Sequence, residues 1–179
     1  NSDMALIRKV RGHEPVIGEN TFLAETAVIL GDVTIGRDCS IWYNAVLRGD
    51  VNKIVIGDRT NIQDGVVVHT LYQRSVTEIG DDVSIGHNAN IHGARIESRC
   101  LIGMGATVLD HAVVGTGSIV AANSLVLSRT DRAGQRLCRR ARQTGEGRDA
   151  GTGSGHHRTD RARLYDVRFV VQGVKAPGV

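Results

Sequence analysis

Aromatic side chains are scarce: one tryptophan, three tyrosines and two phenylalanines make up 3% of the 179 residues. A core must therefore be built from Val, Ile, Leu and Ala, which argues against an aromatic-centred sandwich. Long hydrophobic runs are also missing, since the longest uncharged apolar stretches are a few residues against the roughly 20 that a bilayer-spanning helix needs. The N-terminus lacks the charged-then-apolar order of a secretory signal, and Asn1-Ser2-Asp3 ahead of Met4 reads as a vector-derived remnant. Cysteine is sparse, with Cys39, Cys100 and Cys138 far apart and no CxxC pair, so the thiols are expected to be reduced and structural. Charged residues make up 23% and the net charge is +3. A single soluble cytoplasmic domain is the expectation, with no membrane partner.

Glycine and aliphatic residues are abundant, and they are periodic. Aliphatic residues recur at Ile17, Leu23, Ile29, Ile35, Ile41 and Leu47, then at Ile56, Ile62 and Val68, then at Ile79, Ile85 and Ile91, and finally at Ile96, Ile102, Val108, Val114, Val120 and Val126. The period is six, which neither a helix nor a flat sheet produces. A glycine directly follows the aliphatic residue at Gly18, Gly36, Gly57, Gly80, Gly86, Gly103 and Gly115, as suits backbone turning tightly beside a buried side chain. Hexapeptide repeats mark a parallel β-helix in which three hexads make one triangular coil. Eighteen hexads therefore make about six coils.

The period breaks three times. The step is nine residues from Leu47 to Ile56, eleven from Val68 to Ile79 and five from Ile91 to Ile96. The eleven-residue step carries about five extra residues, which predicts a loop within Thr70 to Glu78. Solenoid ends expose unpaired strand edges and need caps, and Met4 to Pro15 is positioned to form the first.

Three segments carry a resemblance. Ile41-Trp42-Tyr43-Asn44-Ala45-Val46-Leu47-Arg48-Gly49-Asp50, Asn61-Ile62-Gln63-Asp64-Gly65 and Ile85-Gly86-His87-Asn88-Ala89-Asn90-Ile91-His92-Gly93 together resemble the γ-class carbonic anhydrase family, over residues 13 to 128. The resemblance implies an all-β fold, a left-handed parallel β-helix, against the usual right-handed crossover. It also implies a homotrimer with a metal at each subunit interface, and reversible hydration of CO2 to bicarbonate by metal-bound hydroxide. Arg48 and Asp50 match a family pair that forms salt bridges near the interface, with Asp64 as a candidate third member. Asn61 and Gln63 match family positions beside the metal-bound water, where an amide orients hydroxide or holds bicarbonate. Arg48, Asp50, Asn61 and Gln63 are thus the candidate catalytic positions.

The histidines also have a reading of their own. His69 follows Val68 and His92 follows Ile91, so both hold the same place in their hexads. Their separation of 23 residues, less the five-residue loop, is 18, one coil. Stacked strands lie about 4.8 Å apart, close enough for two imidazoles to share a metal at Zn–N distances of about 2.0–2.1 Å. His87 lies five residues before His92 and past a corner, so it does not easily reach its own chain's pair. The spacing favours a site completed by His87 of a neighbouring subunit, as the family arranges it. Three neutral imidazoles leave a fourth position open on zinc, while Fe2+ and Co2+ suit the same donors. His13, His111, His156 and His157 receive no such role, and His111 reads as a solvated turn residue.

The chain also departs from the family. In its best-studied branch a glutamate follows the aspartate of the RxD motif and a longer acidic loop is present, both linked to proton export. Here Val51 follows Asp50, and Glu78 is the only acid from Thr70 to Glu78. Weak turnover is the expectation.

Residues 129 to 179 show neither the family's closing turn nor its amphipathic helix. Ten of the 35 residues from Arg129 to Arg163 are arginine, yet no aromatic residues are interleaved to stack on bases, so nucleic-acid binding is not expected. An out-of-frame translation beginning near Ser128 fits better. Codons for Gly153 to Gln172 can be chosen so that reading one nucleotide later yields AQDIIERTAHAYTMYASWF, an apolar-periodic segment. On that reading the tail is poorly ordered and Tyr165 has no role. Besides the zinc enzyme, two functions fit the repeat: a metal-binding trimer without catalysis, and a hexapeptide acyltransferase, against which three converging histidines argue.

Overall fold

The computed structural model describes residues 5–127 and the backbone of the two-residue strand Arg139–Arg140. Among these residues every regular element is a β-strand, most of them two or three residues long. Most of the short strands carry one inward aliphatic residue, and the chain then turns. The turns are sharp because one residue in most of them has positive φ, for example Asp38, Asn44, Arg59, Gly65, Asp82, Asn88, Arg99, Gly105, His111, Gly117 and Asn123. Asn, Asp and Gly tolerate that conformation at the least steric cost, which is why these types recur between the aliphatic positions. His111 is an exposed turn residue with φ of 62°, as expected.

The eighteen aliphatic positions form three stacks of six, one on each face of a triangular coil. The first stack runs Leu23, Ile41, Ile62, Ile85, Ile102 and Val120. The second runs Ile29, Leu47, Val68, Ile91, Val108 and Val126. The third runs Ile17, Ile35, Ile56, Ile79, Ile96 and Val114. All of these pairings are parallel, so six complete coils are present. Strand Leu6–Arg8 adds a partial seventh turn above the second face by placing Ile7 over Ile29. It thereby covers the first edge, the capping task expected of this stretch.

Burial follows the stacks. Ile29, Ile41, Leu47, Ile62, Val68, Ile85, Ile102 and Val108 are wholly inaccessible, and Ala27, Ala45, Val66, Ala89 and Ala106 fill the space at the corners. Cys39 and Cys100 are buried, while Cys138 lies outside the described residues.

Each break in the period has a structural counterpart. The nine-residue step makes Val46–Ile56 one long strand, paired along Val28–Ile35 with a register shift between Gly31 and Val33. The eleven-residue step becomes a loop over residues 70–76, within the bounds that the sequence predicts, and Thr77–Ile79 is strand. The five-residue step passes through Gly93, whose φ is +57°.

At the far end, Arg139–Arg140 pairs antiparallel with Ser124–Val126. The other expectations for residues 129–179, including the shifted frame and poor order, fall outside the described residues.

Charged pairs tie successive turns together. Arg59 donates to both carboxylate oxygens of Asp82 at 2.7 and 3.0 Å, and these hydrogen bonds hold the Asp82 carboxyl below its ordinary range. On unfolding the group returns to about 3.9, so its stabilisation is present above that value and is lost as pH falls through the folded one. Asp82→Asn is therefore expected to flatten the decline in melting temperature below about pH 4. Parallel decline in variant and parent would contradict this.

Candidate metal centre

Strands Val67–His69 and Asn90–His92 lie side by side on the second face with His69 opposite His92. Each imidazole follows an inward aliphatic residue, so strand alternation turns it outward. The rings stand edge to face with centroids 5.1 Å apart, and Nδ1 of His69 lies 3.2 Å from Nε2 of His92.

A carboxylate occupies the other nitrogen of each ring. Asp50 Oδ1 lies 3.0 Å from His69 Nε2, and Asp110 Oδ2 lies 2.8 Å from His92 Nδ1. An ionised carboxylate only accepts, so these contacts place the protons on His69 Nε2 and His92 Nδ1. The facing nitrogens are then both lone pairs. Two lone pairs pointed at each other at 3.2 Å repel unless a proton or a cation offsets them, and the Arg48 guanidinium, with Nη2 3.5 Å from His69 Nδ1, lies on one of them. Two nitrogens bound tetrahedrally at about 2.0–2.1 Å would be about 3.3 Å apart, so the observed spacing fits a shared metal.

Arg48 completes this edge, donating from Nη1 to Asp50 Oδ2 at 2.8 Å, with Nη2 3.5 Å from His69 Nδ1. The salt bridge expected of Arg48 and Asp50 is present. Burial pushes the Asp50 carboxyl up, but hydrogen bonds from Arg48 and His69 outweigh it and hold the group below its usual range. Asp110 behaves alike, with burial opposed and overcome by Ser75 and His92. Burial lowers the His69 imidazole, with Arg48 and His92 adding to the effect and Asp50 opposing it. The neutral ring that a metal requires is thereby favoured.

Within one chain Asp64 lies apart from Arg48 and Asp50. It sits in the turn between the first and second faces, with Oδ2 2.9 Å from His87 Nδ1, both side chains nearly half exposed. The reason is register: Asp64 and His87 occupy equivalent places after Ile62 and Ile85, which pair directly. Gln63 is at the same corner. Asn61 lies on the first face, almost buried, and donates through Nδ2 to Ser40 Oγ at 2.7 Å. Its Oδ1 is buried without a partner among the described residues. One chain thus gathers Arg48, Asp50, His69, His92 and Asp110 at one edge of the second face, and Gln63, Asp64 and His87 at the opposite edge. Among the described residues no group of three or more His, Cys, Asp and Glu side chains is arranged to hold a metal within this chain.

Asp110 is absent from the candidates raised by the sequence. It lies 18 residues after His92, but the five-residue step makes that coil 17 residues long, so Ile91 stacks on Val108 and the arithmetic that joins His69 to His92 leads to Leu109, one residue short of it. Ser75, which donates to Asp110 Oδ1 at 2.6 Å, has no signal either, because it sits in the loop where the period fails.

Comparison with known proteins bears on the repeat and the family. Residues 14–49, 76–108 and 93–128 match the model of the family "Bacterial transferase hexapeptide (six repeats)". Gamma carbonic anhydrase 2, mitochondrial, from Arabidopsis thaliana is 49% identical over 121 residues, covering 65% of this chain and 44% of that protein. A probable carbonic anhydrase from Methanocaldococcus jannaschii is 58% identical over 93 residues, covering 52% of this chain and 58% of that protein. The chain thus spans about half the length of these curated relatives. Among solved structures, a mutant of perosamine N-acetyltransferase from Caulobacter crescentus, in complex with CoA and GDP-perosamine, superposes with a TM-score of 0.54. It is 18% identical and covers 70% of this chain and 58% of that one, which shows a shared fold alone. With the coil, the stacked histidines and these relatives in view, the chain belongs to the γ-class carbonic anhydrase-like family of hexapeptide-repeat proteins.

Proposed function

We propose that this protein is a trimeric, zinc-dependent carbonic anhydrase that hydrates CO2 reversibly to bicarbonate. The observation that carries the reading is the pair of facing nitrogens, His69 Nδ1 and His92 Nε2, 3.2 Å apart on rings each backed by a carboxylate. A third imidazole, His87, is paired with a carboxylate in the same way. Such carboxylate–histidine pairing is the usual support of metal ligands. Since the pair and His87 occupy opposite edges of one face, a head-to-tail ring of three subunits would bring each pair to the next subunit's His87. A heterologous contact that closes in this way makes a ring.

His69 and His92 of one subunit and His87 of its neighbour would hold the metal; zinc suits them, and Fe2+ and Co2+ share the donor preference. When bound, zinc with an open position makes water acidic enough to attack CO2 near neutral pH. The chain's own groups do the rest. Arg48 keeps Asp50 ionised, Asp50 holds the His69 proton outward, and Gln63 supplies an amide that orients the reacting water or bicarbonate. Asn61 contributes a buried carbonyl oxygen with unused acceptor capacity.

The test combines elemental analysis with stopped-flow CO2 hydration. One metal per chain is expected, with hydration that disappears on chelation and increases as imidazole buffer is raised, because Val51 stands where a proton-exporting acid would serve. A chain that binds no metal would overturn the proposal. Metal at full occupancy without hydration would establish the second reading, a metal-binding trimer without catalysis, which the missing acid at Val51 favours.

A further inference from the structure

We propose that Ser75 is a positioning residue: acting through Asp110, it locks the His92 proton on Nδ1 and keeps the bare Nε2 turned toward His69. This inference rests on the metal reading above and deepens it.

The chain of contacts is continuous. Ser75 is buried, and its hydroxyl donates to Asp110 Oδ1 at 2.6 Å. Asp110 Oδ2 accepts from His92 Nδ1 at 2.8 Å. With both carboxylate oxygens engaged, Asp110 is held in one rotamer, and the ring it faces is held with it. A carboxylate anchored in this way raises the basicity of the opposite ring nitrogen.

The loop is built to deliver that hydroxyl. Ser75 Oγ also accepts the Leu71 amide hydrogen at 3.0 Å, closing the loop on itself, and Asn52 Nδ2 donates to the Ser75 carbonyl at 2.8 Å. Thr77, the first strand residue after the loop, is wholly buried; it donates to the His69 carbonyl at 2.7 Å and accepts from the Gly93 amide at 3.0 Å. It therefore ties together the backbones just past both histidines.

The two adjacent breaks in the hexad period make one device. The eleven-residue step carries Ser75 over the next coil, and the five-residue step clears its landing place. A Cβ on Gly93 would collide with both Asp110 Oδ1 and Ser75 Oγ, and the φ of +57° at that residue further disfavours any side chain. A full-length hexad there would put a side chain where the serine and aspartate meet. The insertion and the deletion are thus complementary, and neither is needed for the aliphatic stack itself.

The test reads tautomers directly, on the full chain labelled with 15N-histidine, stripped of metal and held above the histidine titration range. In the parent, His92 is expected to carry its proton on Nδ1. Asp110→Ala should move it largely to Nε2, and Ser75→Ala should give a mixture. Tyr72→Ala, which alters the loop away from the hydroxyl, should leave the tautomer unchanged. Zinc affinity, from chelator competition, is expected to fall about 10- to 100-fold in both Ser75→Ala and Asp110→Ala. A parent His92 protonated on Nε2, or a Ser75→Ala chain with parental tautomer and parental zinc affinity, would overturn the proposal. So would Tyr72→Ala reproducing the Ser75→Ala shift, since loop disruption alone would then explain it. If the tautomers respond as expected but the parent binds no zinc, the positioning role stands and the metal reading fails.

Discussion

His87→Ala chains are expected to lose essentially all bound metal, although His69 and His92 remain intact. Two imidazoles make a weak site, and the bound form depends on three. The same loss is expected of a His69→Ala, His92→Ala double variant. Refolding the two variants together then separates the possible arrangements. In a head-to-tail ring, a complete site forms wherever a chain that retains the pair precedes a chain that retains His87. Random mixing in equal amounts gives that order at about a quarter of interfaces, so about a quarter of the parental metal content should return. Elemental analysis of the mixed trimer reads the number directly. A site completed within one chain would recover nothing, and a His87→Ala protein that keeps its metal would remove His87 from the ligand set. The geometry within a chain already favours the mixed site, because His87 is held by Asp64 at one edge of the second face and the pair stands at the other.

How much of this was legible in the sequence depends on whether a feature obeys the repeat. Ile62, Ile85 and Ile102 stack as their spacing requires, because burying an aliphatic residue every sixth position leaves few other solutions. His69 and His92 obey the same arithmetic once the loop is subtracted, whereas extending it by the next coil of 17 residues leads to Leu109, so Asp110 in the following turn is not encoded by the repeat. Within one chain the hexad position of Asp64 puts it beside His87 and apart from Arg48 and Asp50, while the resemblance places that group of three near a subunit interface. Ser75 and Thr77 were not legible at all. A loop's path is set by hydrogen bonds among particular side chains, such as Ser75 to Asp110 and Asn52 to the Ser75 carbonyl, and no periodicity encodes those partners. The breaks were visible as breaks, but their complementarity appears only when the eleven-residue and five-residue steps are seen to meet at Gly93.

Substituting the middle of a stack should cost far more than the same substitution at its end. Ile85 is fully buried between Ile62 above and Ile102 below. Ile17 is half-buried and has one stacked neighbour, Ile35. Ile85→Ala removes three carbons from a site that cannot collapse, since backbone pairing holds the neighbouring coils at about 4.8 Å spacing. A loss of about 4 kcal/mol is expected, toward the upper part of the range for such truncations. Ile17→Ala should lose only about 1–2 kcal/mol, because its side chain is already partly hydrated and the terminal coil can settle inward. The comparison needs denaturant unfolding at one fixed protein concentration, since assembly would otherwise contribute to apparent stability. Hydrogen exchange adds a spatial readout. A solenoid held by nearest-neighbour interfaces should open around residue 85 in the first variant and only at the N-terminal coil in the second. Equal losses at the two positions would mean that the coils do not share stability through their stacked faces. The metal edge, with His69 and His92 on coils that flank the same interface as Ile62 and Ile85, would then need a different source of rigidity.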